Sequence, residues 1–177
     1  MIEIVPYDQK WPALFDAEAA NIREAMASLA LRIEHVGSTS VPGLAAKQVI
    51  DIQVSVTTLE TLGGYVQALA QLGYVHISLG SFDVVYPFFQ KPAAWPSTHH
   101  VHLCVVGSEQ ERCHLAFRDH LRTHPAVAAK YADLKRALAT ENDGATLESR
   151  ERYSLSKTEF VNSVLERALP AFAELKR

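Results

Sequence analysis

Between His35 and Val56 the chain reads HVGSTSVPGLAAKQVIDIQVSV, and this stretch leaves the backbone few options. LRIEHVG (Leu31 to Gly37) alternates apolar and polar residues as a half-buried strand does, and QVIDIQVSV (Gln48 to Val56) is alternating and β-branched. The Gly and Pro residues between them break any helix, so a strand–loop–strand frame is expected. Alternation on the second strand sets Asp51 and Gln53 on one face and Ile50, Ile52 and Val54 on the other.

The rest of the chain has to cover that frame. Trp11-Pro12 followed by ALFDAEAANIREAMASLA predicts a helix from about Pro12 to Leu29, with Leu14, Phe15, Ile22, Met26 and Leu29 on one side. A second helix is expected over Leu59 to Leu72, ending at Gly73. YVHISL, FDVVYPFFQK and HHVHLCVVG read as further strands, with the turn-rich PAAWPST before the last, giving a sheet of about five strands. From Ser108 onward EQERCHLAFRDHLRTH, PAVAAKYADLKRALATE and SLSKTEFVNSVLERALPAF carry helical periodicity; Pro125 starts the middle helix and Asn142-Asp143-Gly144 ends it. The expectation is one α+β domain over residues 1–177, with a mixed β-sheet core at about 30–107 and a packed helical part at about 108–177.

With 177 residues, 48% of them hydrophobic, the chain can bury a real core. Its net charge of −3 supplies no global field for a nucleic acid polymer or an anionic membrane, so any phosphate site must be local. Cys104 and Cys113 lack CxxC spacing and suggest thiols in a reducing compartment. No signal-peptide core opens the sequence, and no apolar run approaches the roughly 20 residues that span a bilayer. A cytoplasmic protein is expected.

Several groups carry possible chemistry. Gly37 lets backbone N–H groups approach an anion, and Ser38, Thr39 and Ser40 add hydroxyl donors, although the same residues also make an ordinary turn. Asp51 is placed where a metal-binding acid is useful. Its face-mate Gln53 offers only a neutral carbonyl oxygen, so Mg2+, which favours anionic oxygen ligands, is expected to bind weakly. In HHVHLCVV, His100, His102 and Cys104 share a face, and three readings stay open: structural histidines, the wall of a phosphate site, or a transition-metal site. Lys47 precedes the Asp51 strand, Arg118 and Arg122 lie one helical turn apart, and Lys130, Lys135 and Lys157 punctuate the later helices. Any of these is a solvated charge or an anion contact, and Arg118, next to Asp119, is either a buried ion pair or a site wall. Tyr131 and Tyr153 either stack on a ligand or pack.

VPYDQKWPALFDAE, HVGSTSVPGLAAKQVIDIQV, HHVHLCVV, HLAFRDHLRTHPAVAAKYADLKRALA and YSLSKTEFVNSVL, running in this order from Val5 to Leu165, resemble the GrpB family. That family is similar in fold to the nucleotidyltransferase superfamily and is also found fused to dephospho-CoA kinase. The superfamily pattern is a Gly-Ser turn, a spacer, Asp-hydrophobic-Asp/Glu on the next strand and a third acid on a later strand. Gly37, Ser38 and Asp51 match it; Gln53 does not, and HHVHLCVV supplies no third acid. The resemblance thus implies a nucleotidyltransferase-like cleft with Lys47 and Lys157 as phosphate contacts, Gln53, His100, His102 and Arg118 as its walls, and Mg2+ at Asp51. The functional expectation is binding of a nucleotide or other phosphorylated small molecule with weak or lost catalysis. The alternatives are an active Mg2+-dependent nucleotidyltransferase and a non-enzymatic accessory domain acting on dephospho-CoA kinase.

Overall fold

The computed structural model describes residues 1–169. Pro12 lies in the first turn of α1 (Trp11–Met26), where its missing N–H leaves no bond unmade. A 3-10 turn (Ala27–Leu29) leads into β1 (Arg32–Val36), and a second (Ser38–Ser40) opens the loop to β2 (Ile50–Val56). There follow α2 (Leu62–Ala70), β3 (Val75–Ile77), a 3-10 turn (Gly80–Val84), β4 (Phe88–Lys91) and β5 (His99–Val105). Four helices complete the described chain: α3 (Glu109–Thr123), α4 (Pro125–Glu141), α5 (Leu147–Leu155) and α6 (Thr158–Ala168).

The five strands form one mixed sheet in the order β1-β2-β5-β4-β3. Only β2 and β5 are parallel; the other neighbours are antiparallel. The fold is α+β, as the sequence pattern implies. Ile52, Val54 and Val56 point to one side, where they bury with Phe89, Val101 and Leu103 against Trp11, Ile22 and Met26 of α1 and Tyr65 and Leu69 of α2. Truncating one such fully buried aliphatic to Ala typically costs about 2–5 kcal/mol, so this layer fixes the sheet rigidly. Asp51, Gln53 and Ser55 must then face the opposite side. There a second cluster joins Val41, Leu44 and Ala45 of the β1–β2 loop to Leu121, Ala128, Tyr131 and Ala132 of α3 and α4.

Three local expectations change. Of FDVVYPFFQK only Phe88–Lys91 pairs as a strand, because Pro87 cannot donate to a ladder and the residues before it turn instead. The second helix begins at Leu62 and not at Leu59, the Thr58 hydroxyl accepting from the Glu60 N–H (3.2 Å) in a local turn that competes with helix. Ahead of the third C-terminal segment, which forms α6, stands a helix that the sequence pattern does not predict: α5, capped by the Thr146 hydroxyl accepting from the Ser149 N–H (3.1 Å), which takes in only the first two residues of that segment. The Pro170 to Phe172 end of that expected segment lies outside the described residues. Among the described residues no helix is long and apolar enough to cross a membrane, and no disulfide joins Cys104 to Cys113.

Candidate functional site

The β1–β2 register sets Val36 opposite Asp51, so the next residue, Gly37, arrives beside the carboxylate. Gly37 has φ 68° and ψ −172°, a conformation essentially reserved for glycine. A Cβ there would lie 2.4 Å from Asp51 Oδ2, so the turn is moulded onto the acid. Beyond it the loop hydroxyls part company. Ser40 Oγ donates to the Gly37 carbonyl (2.6 Å), and Thr39 Oγ1 donates to the Val49 carbonyl (3.1 Å). Thr39 Oγ1 also accepts from Nε2 of His35 (3.0 Å), a ring that burial keeps neutral, its pKa pushed down to about 4. Thr39 and Ser40 therefore shape the loop, whereas Ser38 Oγ accepts from Lys135 Nζ of α4 at 2.9 Å.

Parallel pairing of β2 with β5 brings His100 opposite Asp51 and His102 opposite Gln53. His100 Nδ1 lies 3.1 Å and His102 Nε2 3.9 Å from Asp51 Oδ1, while the His100 Nε2 meets Ser97 Oγ at 2.7 Å. Burial alone would raise the Asp51 pKa; hydrogen bonds from the two histidines and their positive potential outweigh it and hold the acid ionised well below the usual carboxylate range. Burial likewise pushes His102 down, against the pull of Asp51. Gln53 is wholly buried and its Oε1 accepts from His114 Nδ1 of α3 at 2.9 Å. His114 is kept neutral mainly by burial, its pKa pushed down to about 3. Cys104, further along the same strand face, is set beside Ser55 (3.8 Å) and so belongs to a different neighbourhood, where Ser55 donates to Glu111 (2.5 Å).

Three lysines face this corner. Lys135 Nζ, besides meeting Ser38, donates to the Ala45 carbonyl and stands 4.8 Å from the Tyr131 ring centre. Lys157 and Lys47 both stand over the Tyr153 ring, at 4.4 and 5.2 Å from its centre. Lys47 also lies 5.8 Å from the Trp95 ring, over which the Arg150 guanidinium sits at 4.8 Å. Among the described residues none of the three lysines is in an ion pair. Burial and mutual repulsion push Lys135 down to about 7 and Lys157 to about 8, and burial lowers Lys47; the Asp51 charge pulls each of them back up. One carboxylate thus faces several cations, an arrangement short of negative charge.

Arg118 stands elsewhere. It donates to Glu34 (2.8 Å), Asp119 (2.7 Å) and the His35 carbonyl (3.1 Å), lining with Arg122, Tyr7 and Phe15 a separate cavity of about 310 Å3 beside β1. The structure therefore gathers Gly37, Ser38, Lys47, Asp51, His100, His102 and Lys157, and keeps Arg118 in ion pairs outside that group. Lys135, which the sequence leaves as a solvated charge or an anion contact, joins the gathered set, with Trp95 of the turn-rich PAAWPST and Arg150, which no sequence pattern singles out. Lys135 had a signal: with Ala128, Tyr131 and Leu138 it falls on the buried stripe of α4, where an ammonium needs a reason to be.

The magnesium expected from the family resemblance finds poor provision. Mg2+ takes octahedral oxygen donors, and here one carboxylate stands next to two imidazoles while the Gln53 oxygen is engaged by His114. The donor set does not fit a hard-cation pair.

The GrpB protein family profile matches residues 1–167. A UPF0157 protein of Pseudomonas aeruginosa is 42% identical over 173 residues, 96% of this chain and 69% of that one. A UPF0157 protein of Bacillus subtilis is 32% identical over 94% of this chain, which spans only 47% of that relative's length. A dephospho-CoA kinase of Mycolicibacterium paratuberculosis is 32% identical over 81% of this chain, again a part (41%) of the larger protein. The crystal structure of GrpB from Enterococcus faecalis superposes with a TM-score of 0.80 at 32% identity, covering 96% of this chain and 99% of that one. The Cid1 poly(U) polymerase superposes at 0.52 with 12% identity, over 81% of this chain and 45% of its own, a likeness of fold alone. Family profile, relatives and solved structure agree over nearly the same residues that build the sheet, the Gly37 turn and the lysine-bearing helices, and the chain belongs to the GrpB family.

Proposed function

We propose that the corner between the Gly37-Ser38 turn and helices α4 to α6 binds the phosphate groups of a nucleotide or other phosphorylated small molecule, with catalysis weak or lost. The observation that carries this reading is the set of Lys47, Lys135 and Lys157, half-buried or buried with no ion pair among the described residues, around a turn whose Ser38 hydroxyl already meets one of them. Holding ammonium groups out of water is costly, and a polyanion offsets that cost for all three at once. Trp95, half-buried beside the same cations, offers an aromatic surface for a base or another flat group, whereas Tyr153 is buried and packs under Lys47 and Lys157.

Support for a nucleotide comes from the fold neighbour, a poly(U) polymerase whose structure carries Mg and 3′-dATP. The likeness to dephospho-CoA kinases makes coenzyme A precursors the first ligands to try. Magnesium, if it enters, has Asp51 as its one anionic ligand, and Gln53 is turned to His114, which is why transfer chemistry is taken as weak or lost. The kinase likeness also favours a second reading, an accessory domain that supports a dephospho-CoA kinase without any chemistry of its own.

Isothermal titration with nucleotides and coenzyme A precursors, with and without Mg2+, tests the first reading. Binding that Lys135→Met and Lys157→Met each weaken supports it; no heat with any phosphorylated ligand overturns it. Ligand-independent capture of dephospho-CoA kinase would favour the second reading.

A further inference from the structure

The mismatch with magnesium has a positive side. We infer that Asp51, His100 and His102 form a site for a single borderline transition-metal ion, of the zinc, cobalt or nickel class, with Asp51 Oδ1, His100 Nδ1 and His102 Nε2 as ligands. The site rests on these three side chains and not on the phosphate reading.

The three ligand atoms lie within 4.8 Å of one another. Donors about 2.0–2.1 Å from a tetrahedral zinc ion stand roughly 3.3 Å apart. The separations of 3.1 and 3.9 Å between Asp51 Oδ1 and the two imidazole nitrogens differ from that by about 0.2 and about 0.6 Å, and the third side of the triangle, within 4.8 Å, closes by side-chain rotation. Two imidazoles and one carboxylate are the donor chemistry of zinc and its neighbours, whereas Mg2+ and Ca2+ favour oxygen alone. With three protein ligands, the remaining position is open to water or an anion.

The surroundings hold the ligands in place. Asp51 cannot turn freely, because its other oxygen is packed against Gly37. Ser97, nearly fully buried, bonds the far nitrogen of His100, and its hydroxyl serves either tautomer. In the tautomer that carries its proton on Nδ1, His100 donates to Asp51 and accepts from Ser97 at Nε2. With metal on Nδ1 the ring proton moves to Nε2 and donates to Ser97, so the ring needs no net proton loss. His102 packs against two rings, Tyr86 stacked at 4.8 Å and Phe88 tilted at 5.1 Å, which hold its plane, while its Nδ1 has no hydrogen-bond partner among the described residues.

Metal-stripped full-length protein titrated with Co2+, read by the visible d–d bands, decides the matter. We expect one equivalent to bind, Zn2+ to displace it stoichiometrically and a large excess of Mg2+ to leave it in place. His102→Ala and Asp51→Asn should each weaken Co2+ by about 100-fold or more, and Ser97→Ala, an outer hydrogen bond, by about 10-fold. The stacked pair of half-buried His120 and exposed His124 (3.9 Å between ring centres) is the competing chelator, so the double variant His120→Ala/His124→Ala must keep the bands. Bands that vanish with that pair, that persist in both His102→Ala and Asp51→Asn, or that yield equally to Mg2+ overturn the site, as does absence of Co2+ binding to the parent protein. Phosphate binding measured in chelator is a separate readout, so the two proposals fail independently.

Discussion

Lys135 Nζ reaches across the fold to Ser38 Oγ at 2.9 Å, joining the fourth helix to the turn after the first strand. That contact puts a nearly fully buried ammonium where the loop would meet an anion, and four expectations follow from it and its neighbours.

Replacing Lys135 by Met should separate function from stability. A lone ammonium held out of water costs stability, and an apolar side chain of similar length removes that cost. Lys135→Met should therefore melt at or above the parent temperature while its affinity for a phosphorylated ligand falls. Calorimetric melting beside isothermal titration checks both, and a variant that melts far lower with unchanged affinity would make Lys135 purely structural.

Affinity for the anion should decline as pH rises. Burial puts Lys135 near 7 and Lys157 near 8 in the ligand-free protein, so both ammoniums lose charge across that window, and binding above it must take up protons. Titrations in buffers of different ionisation enthalpy should show proton uptake at pH 8.5 and much less at pH 6. The stability sign follows from the same shifts. Both folded values lie below the ordinary 10.5, so the unfolded chain holds more protons between them, and ligand-free stability should rise with pH from about 7 toward 10.

Gly37→Ala should damage the loop and the acid together. Its backbone conformation costs a non-glycine residue about 1–3 kcal/mol, and the added methyl strikes the Asp51 carboxylate. A lower melting temperature accompanied by a raised Asp51 pKa, read by carboxylate NMR, is expected. An unchanged Asp51 signal would show that the turn does not position the acid.

Gln53→Glu should make the site more welcoming to hard cations. Two carboxylates on one strand face repel, so one titrates higher unless a cation or His114 neutralises it. Mn2+ or Mg2+ should then stabilise the variant more than the parent in scanning calorimetry at fixed ionic strength. Equal shifts would mean that positions 51 and 53 do not face a common cation.

The sequence pattern carried some of this architecture and not the rest, for physical reasons. Alternation in IDIQVSV suffices to set Asp51 and Gln53 against Ile52 and Val54, because the strand repeat is two wherever one face is buried. The Gly37 turn is equally local. The meeting of Asp51 with His100 depends on a parallel register between segments 49 residues apart, and nothing local encodes it. Lys135 was ambiguous for another reason: its stripe position is visible, but only the packed loop shows that its head meets Ser38 and the Ala45 carbonyl rather than water. Helix α5 escaped because LESRERYSL is mostly polar, and its few buried residues pack through tertiary contacts instead of a continuous apolar stripe.

The parallel pairing of β2 with β5 has a consequence for how the molecule comes into being. The segment from Thr57 to Thr98 must close as a crossover before Asp51 can find its histidines, and the lysines of α4 and α6 arrive later still as the chain emerges. The corner is thus a keystone joint, incomplete until both halves of the polypeptide are in place. A ligand seated there would tie the earliest-made turn to the last-made helices, so its grip should appear as resistance of the C-terminal helices to proteolysis and amide exchange, far from any atom it touches.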